Sequence, residues 1–252
     1  MAKRGSVFLF IGMAGSGKTS LVQRLATHLR EAGKPPYIVN LDPATQHLPY
    51  EANIDIRDTV NYKAVMKEYG LGPNGAILTS ANLFATRFDK VVTICNMRAH
   101  EHEHFFVDTP GQIEIFTWSA SGMIVTEMLA SDFCTTILFV LDTPQCQNPQ
   151  FLTSNLLQAV SVLYRSRLSV VLVFNKIDVA SHNPLTEWLS DMNLFQNELD
   201  TGKSYAATLS QSLNMILKEF YDHLKIVGVS AAKGNGIQEL VDILQNSYTA
   251  RA

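Results

Sequence analysis

Short, uninterrupted apolar runs alternate along this chain with stretches whose apolar side chains recur every three or four positions. The runs at 7–11, 37–41, 105–107, 136–141, 170–174 and 226–229 predict strands. Most carry no polar alternation, the pattern of strands covered on both faces of a parallel sheet. Helical spacing predicts helices over 18–31, 62–69, 122–130, 153–164, 185–198, 209–223 and 237–246. In the first, Leu21, Val22, Leu25, Ala26 and Leu29 form one apolar stripe. In the sixth, Leu213, Ile216, Leu217 and Phe220 read as core packing. Regular alternation of strand and helix predicts an α/β fold, a mostly parallel sheet with helices on both faces. The stretch from Asp200 to Ser204 reads as a loop joining two helices, and no composition shift divides residues 1–252 into two domains.

Between the first strand and the first helix lies Gly12-Met13-Ala14-Gly15-Ser16-Gly17-Lys18-Thr19. It fits the phosphate-loop pattern G-x-x-x-x-G-K-[ST] in full, in the strand-loop-helix context that the chemistry needs. Glycines let backbone N–H groups turn toward phosphate oxygens, and the helix N-terminus adds partial positive charge. Gly12, Ala14, Gly15, Ser16, Gly17, Lys18, Thr19 and Ser20 are therefore candidate nucleotide-binding residues. Lys18 would reach the terminal phosphates and the Thr19 hydroxyl would hold Mg²⁺.

Further candidates follow other strands. Asp42, Asp108 and Asp142 stand at strand ends, where ligands of open parallel sheets bind. Asp108-Thr109-Pro110-Gly111-Gln112 offers a second Mg²⁺ residue in Asp108, a backbone amide at Gly111, and Gln112 to orient an attacking water. Asn175-Lys176-Ile177-Asp178 has the guanine-specificity pattern N-K-x-D. A carboxylate at Asp178 accepts from guanine N1–H and the exocyclic amine, donors that adenine lacks there. Ser230-Ala231-Ala232 follows the last strand as a looser base-side motif. Asp42, in Asn40-Leu41-Asp42-Pro43-Ala44, reads equally as a water-positioning carboxylate or as a turn-forming Asp before Pro43. By local rules Gly72-Pro73-Asn74-Gly75 is a turn after a short helix.

Composition narrows the functional classes. Of 252 residues, 46% are hydrophobic, ample for a core. Charged residues make up 17%, below the usual share of about 25%, a weak sign that a partner covers part of the surface. A net charge of −3 gives no basic field, so no direct nucleic-acid partner is expected. Cys95, Cys134 and Cys146 are odd in number and fit no zinc spacing, so they read as reduced thiols. After Lys3 and Arg4, the apolar run ending at Ile11 is too short for a signal core or membrane span, and residue 2 is not the Gly of a myristoylation signal. No membrane partner is expected.

Two decoys need weighing. In an extended strand His100, His102 and His104 would share a face, but the cluster reads as a solvated strand edge rather than a metal site. Asp142-Thr143-Pro144 lacks the Gly-Gln that follows Asp108 and reads as a turn at the sheet end.

With these motifs in one chain, Gly72-Pro73-Asn74 resembles the signature loop of the GPN-loop GTPases, as an insertion near residues 70–76 of a P-loop GTPase domain. Asn40-Leu41-Asp42-Pro43-Ala44, the stretch Ala52-Asn53-Ile54-Asp55-Ile56-Arg57-Asp58, Asp108 to Glu114 and Trp118 to Gly122 extend the resemblance over nearly the whole chain. It is most similar to the first eukaryotic paralogue, linked to RNA polymerase II assembly and nuclear import. The resemblance implies a P-loop NTPase fold, Mg²⁺ as cofactor, and GTP and GDP as substrate and product. It also implies a homodimer, or a heterodimer with a paralogue, in which Asn74 reaches the partner's site. Asp42, Gln112 and Glu114 would place the water, with no arginine finger. RNA polymerase II subunits or assembly factors are the implied clients, met in the cytoplasm with shuttling to the nucleus. A long acidic C-terminal tail, usual in that branch, is expected but does not appear before Ala252. The function expected is a GTP-hydrolysing molecular switch. The alternatives are an assembly chaperone whose GTP is structural, and an ATP-driven enzyme, against which Asp178 argues.

Overall fold

The computed structural model describes residues 5–191, 194–195, 197–198 and 224–249. The expected helix at 209–223 and the loop at 200–204 lie outside the described residues.

Seven strands form one sheet: β1 (Ser6–Ile11), β2 (Tyr37–Asn40), β3 (Ile54–Asp55), β4 (His104–Asp108), β5 (Cys134–Asp142), β6 (Ser169–Asn175) and β7 (Lys225–Val229). Their order is β3-β2-β4-β1-β5-β6-β7, and every pairing is parallel. The six expected strands are present, most extended by a residue or two. The two-residue β3 is new, being too short to leave a periodic signal.

The unbroken apolar runs have a simple cause. Side chains alternate between faces, and both faces are covered. Val7, Leu9 and Ile11 of β1 join one core, while Phe8 and Phe10 join the other. The second core is filled by α1 (Lys18–Glu31), through Leu21, Val22 and Leu25, and by the C-terminal helix Ile237–Thr249, through Leu240 and Leu244. The first core receives α3 (Tyr62–Glu68), α4 (Pro73–Ala85), α5 (Phe88–Arg98), α7 (Ala120–Asp132) and α9 (Pro149–Ser166). Short helices α2 (Ile56–Thr59), α6 (Ile113–Thr117) and α8 (Thr143–Cys146) lie beside strand ends.

Three expectations need correction. Gly72-Pro73-Asn74-Gly75 is not a free turn. Gly72 is the N-cap of α4 and Pro73 its first residue, where a missing N–H costs nothing and φ is already helical. The expected helix 185–198 is interrupted: α10 (Asn183–Ser190) ends at Asp191, extended at φ −118, ψ 101, and residues 194–195 and 197–198 are helical again. The histidines do not form a strand edge: His104 opens β4, which is hydrogen-bonded to β1 and β2 on either side, and burial lowers its pKa. His102 lies in the preceding turn, with its Nδ1 2.8 Å from the Pro35 carbonyl oxygen. Cys95, Cys134 and Cys146 are buried and form no disulfide, and burial pushes Cys95 and Cys146 up to about 12.

A candidate nucleotide site along the carboxyl edge of the sheet

Parallel pairing lines up the strand ends. Asp108 stands in register with Phe10 on one side and Asn40 on the other; Asn175 faces Asp142 and Val229. The loop after β1 therefore lies between an acidic flank built on β2 and β4 and a second flank built on β5, β6 and β7.

That loop needs its glycines. Gly17 is left-handed at φ 89, and a Cβ there would strike the Asn175 amide. A Cβ on Gly12 would run into the Val140 carbonyl of β5. Gly17 caps α1 without a side-chain bond, and the first turn carries no acidic residue. Helices α3, α7 and α9 are capped instead by the side chains of Asn61, Ser119 and Asn148. The start of α1 thus offers its amides and dipole to an external anion. Lys18 is buried and its Nζ donates to Gly12 O at 2.8 Å and Met13 O at 3.1 Å. Burial lowers its pKa, while the carboxylates of Asp108 and Asp42 work against that. Ser16 Oγ is buried and unpaired among the described residues. Ala14, Gly15 and Ser20 are exposed, and Thr19 is half-buried.

On the acidic flank, Asp108 is 1% exposed. The Tyr50 hydroxyl donates to its Oδ2 at 2.7 Å, and Oδ1 is buried with no hydrogen-bond partner among the described residues. Burial pushes Asp108 up to about 6, against the hydroxyls of Tyr50 and Thr19 and the charge of Lys18. An unpaired carboxylate oxygen beside a hydroxyl is a donor set that suits a hard divalent cation, so the residues fit Mg²⁺. Asp42 is half-buried, and its Oδ1 accepts from Ala44 N at 2.9 Å, the turn expected before Pro43. Burial raises its pKa, opposed by that hydrogen bond and by Lys18. Gln112 caps the start of α6, and Glu114 is exposed in its first turn. The Gln112 side-chain amide donates to Asn74 Oδ1 in the first turn of α4, so the chain's own GPN motif meets its own glutamine.

On the other flank, Asn175 is buried and joins two loops. Its Nδ2 donates to Ser16 O at 2.9 Å, and its Oδ1 accepts from Ala231 N at 3.1 Å. Lys176, left-handed at φ 68, donates to Gly15 O and to Asp142 Oδ2, both at 2.7 Å. Asp142 is therefore more than a sheet-end turn; it anchors Lys176 on the loop. The Ser230 hydroxyl donates to Asp178 Oδ1 at 2.6 Å, and this bond holds the Asp178 carboxyl below its ordinary range. Arg24 of α1 donates to the carbonyls of Ala231 and Ala232 at 2.8 and 2.6 Å. Every candidate site residue except Glu114, Ser20, Gly72 and Pro73 thus belongs to, or touches, one of the loops on this edge; Gly72 and Pro73 open α4 just before Asn74. Glu114 is near Gln112 in sequence, and Ser20 lies a turn into α1.

Sequence reasoning gave no role to Tyr50, Arg24, or the Asp55–Arg57 pair. Arg57 Nη2 lies 2.7 Å from Asp55 Oδ2, and its Nη1 donates to Thr45 O at 3.1 Å, fastening the loop after β2. Tyr50 sits in a stretch without periodicity, so only the three-dimensional contact reveals it. Asp142, by contrast, carried a readable signal: an acid at the end of a central parallel strand.

A glycine-rich loop between strand and helix, at the carboxyl edge of an all-parallel sheet, defines a P-loop nucleotide-binding protein. A family model described as "Conserved hypothetical ATP binding protein" matches residues 10–250. GPN-loop GTPase 1 of Dictyostelium discoideum is 53% identical over 93% of this chain and 59% of its own length. GPN-loop GTPase 1 of Schizosaccharomyces pombe is 46% identical over 96% of this chain and 69% of its own. The crystal structure of an apo-form GTPase from Pyrococcus abyssi superposes with a TM-score of 0.85 at 25% identity, covering 98% of both chains. The chain belongs to the GPN-loop GTPase family. It spans about six-tenths of the length of the Dictyostelium relative.

Proposed function

We propose that this chain binds and hydrolyses GTP as a molecular switch. The observation that carries this is the common placement of three chemistries on one sheet edge. These are the uncapped α1 start with Lys18, the Asp108 carboxylate with its unpaired oxygen, and Asp178 held by Ser230. The loop amides and Lys18 bind phosphates. Thr19 and Asp108 would hold Mg²⁺, which would neutralise developing phosphate charge. Asp178 selects guanine, because adenine would leave its carboxylate without donors. This is why guanine is favoured despite the family model's description as ATP-binding. Asp42 and Gln112 would orient the attacking water, helped by Glu114 in the first turn of the helix that Gln112 caps.

Family resemblance supports a dimer, homodimeric or with a paralogue, whose Asn74 residues reach across to the partner's nucleotide. It also supports RNA polymerase II subunits or assembly factors as clients, and cytoplasmic work with shuttling to the nucleus. The bond between Gln112 and Asn74 of one chain favours a second reading, an assembly chaperone whose GTP is structural, because it engages the amide that would orient water.

One experiment separates the two. Mass by light scattering, with GDP and with a non-hydrolysable GTP analogue, is measured beside phosphate release for wild type, Gln112→Ala and Asn74→Ala. The switch predicts a dimer and a loss of turnover on the order of 10²-fold in Gln112→Ala with nucleotide affinity kept. Turnover unchanged in both variants would leave the structural-GTP reading.

A further inference from the structure

We infer that Tyr50 is a positioning residue for the Mg²⁺-holding carboxylate of Asp108, an inference that rests on the metal role proposed above. Three observations carry it. Asp108 is almost fully buried, so its two oxygens are not interchangeable by free rotation into water. The Tyr50 hydroxyl donates to Oδ2 at 2.7 Å. The other oxygen, Oδ1, has no partner among the described residues, and Thr19 lies beside the same carboxyl.

A hydroxyl fixed on one oxygen sets the plane of the carboxylate and leaves the other for the cation. Partners of this kind around a metal-binding carboxylate tune affinity without touching the metal. The hydroxyl is itself well placed. The Tyr50 ring packs partly against the second core, and nearby Asn53 closes the loop onto β2 through Ile38 N to Asn53 Oδ1 at 2.7 Å. Asp55 and Arg57 fasten the same loop from its far end through the carbonyls of Thr45 and Gln46. Tyr50 thus carries a side-chain contact from the loop bearing Asp42 to the Asp108 carboxylate, beside the backbone bond from Leu41 N to Asp108 O at 2.9 Å.

The test is the release rate of a fluorescent GDP analogue as a function of Mg²⁺, in wild type, Tyr50→Phe and Asn53→Ala. Phe keeps the ring and removes only the donor. Asn53→Ala loosens the same loop and leaves the hydroxyl. The half-saturating Mg²⁺ concentration is expected to rise on the order of 10-fold in Tyr50→Phe. It stays near wild type in Asn53→Ala, and release in excess chelator is alike in all three. An unchanged Mg²⁺ midpoint in Tyr50→Phe overturns the inference. So does an equal shift in Asn53→Ala, which would make Tyr50 only a loop anchor. If wild type binds the analogue but release ignores Mg²⁺, the metal role of Asp108 fails first and takes the inference with it. A chain that binds no guanine nucleotide overturns the proposed function as a whole.

Discussion

Asp108 shows the conflict between folding and function most clearly. A carboxylate with 1% exposure is held in a site that raises its pKa to about 6, because burial outweighs the hydroxyls and the lysine around it. The sign of the consequence follows from linkage. The folded chain holds this proton more tightly than the unfolded chain, whose value is near 3.8. The group's stabilising contribution is therefore full below about pH 4 and is lost as pH rises through about 6. Asp108→Asn escapes that loss. Its melting temperature minus that of wild type should grow between about pH 4 and about pH 6 and stay level above. Nucleotide retention by the variant should no longer respond to Mg²⁺. Thermal melts across pH, compared as differences so that other groups cancel, check this; a flat difference would contradict it. Asp108 was legible from its place after an apolar strand. Its hydrogen-bond donor Tyr50 was not, since a tyrosine in an aperiodic loop carries no pattern that points to its partner.

Among elements, the site is held by loops tied to one another rather than to the ligand alone. Asn175 is the main knot: one amide joins the phosphate loop through Ser16 O to the base-side loop through Ala231 N. Asn175→Ala leaves both backbone groups without that partner in a buried place, at a cost of about 2 kcal/mol. The expected result is a lower melting temperature and weaker binding of both GDP and inorganic pyrophosphate. A variant changed at Asp178 should instead weaken GDP alone. Calorimetric titration with the two ligands distinguishes them, and an Asn175→Ala chain that lost only GDP would contradict the knot. The N-K-x-D spacing was plain in the sequence, but it suggested base recognition for Asn175. Its structural work appears only when the end of β6 is set beside the loops that follow β1 and β7. Helix α4 was hidden for a different reason. Pro, Asn and Gly at its start read as turn formers, whereas a Pro at the first helical position belongs there. The long strands and α1 were readable because their periodicity is strong and both sheet faces are covered.

For the molecule as a whole, the parallel strand order makes one edge carry all the chemistry. Of that edge, the phosphate loop, Asp108 and Asp178 were readable from motifs. The ties between them, Arg24 to Ala231, Lys176 to Asp142 and Asn175 to Ser16, depend on distances across the sheet that no local pattern encodes. The same edge explains why nucleotide state would be felt widely. Loops from β1, β2, β4, β6 and β7 converge there, and Asn74 brings in α4, whose other end packs Phe84 into the core. A change at Gln112 therefore has a mechanical route into the helices on that face. No helix among the described residues is long and apolar enough to cross a membrane.

The most direct test of the central claim is phosphate release by the purified chain in Mg²⁺, with GTP, ATP and XTP, for wild type and Asp178→Asn. Wild type should release phosphate from GTP and leave ATP near background. Asparagine turns the acceptor into a donor and should move the preference to XTP, with GTP use falling about 100-fold or more. Equal release from ATP and GTP by wild type, or a GTP preference untouched by Asp178→Asn, would contradict the account.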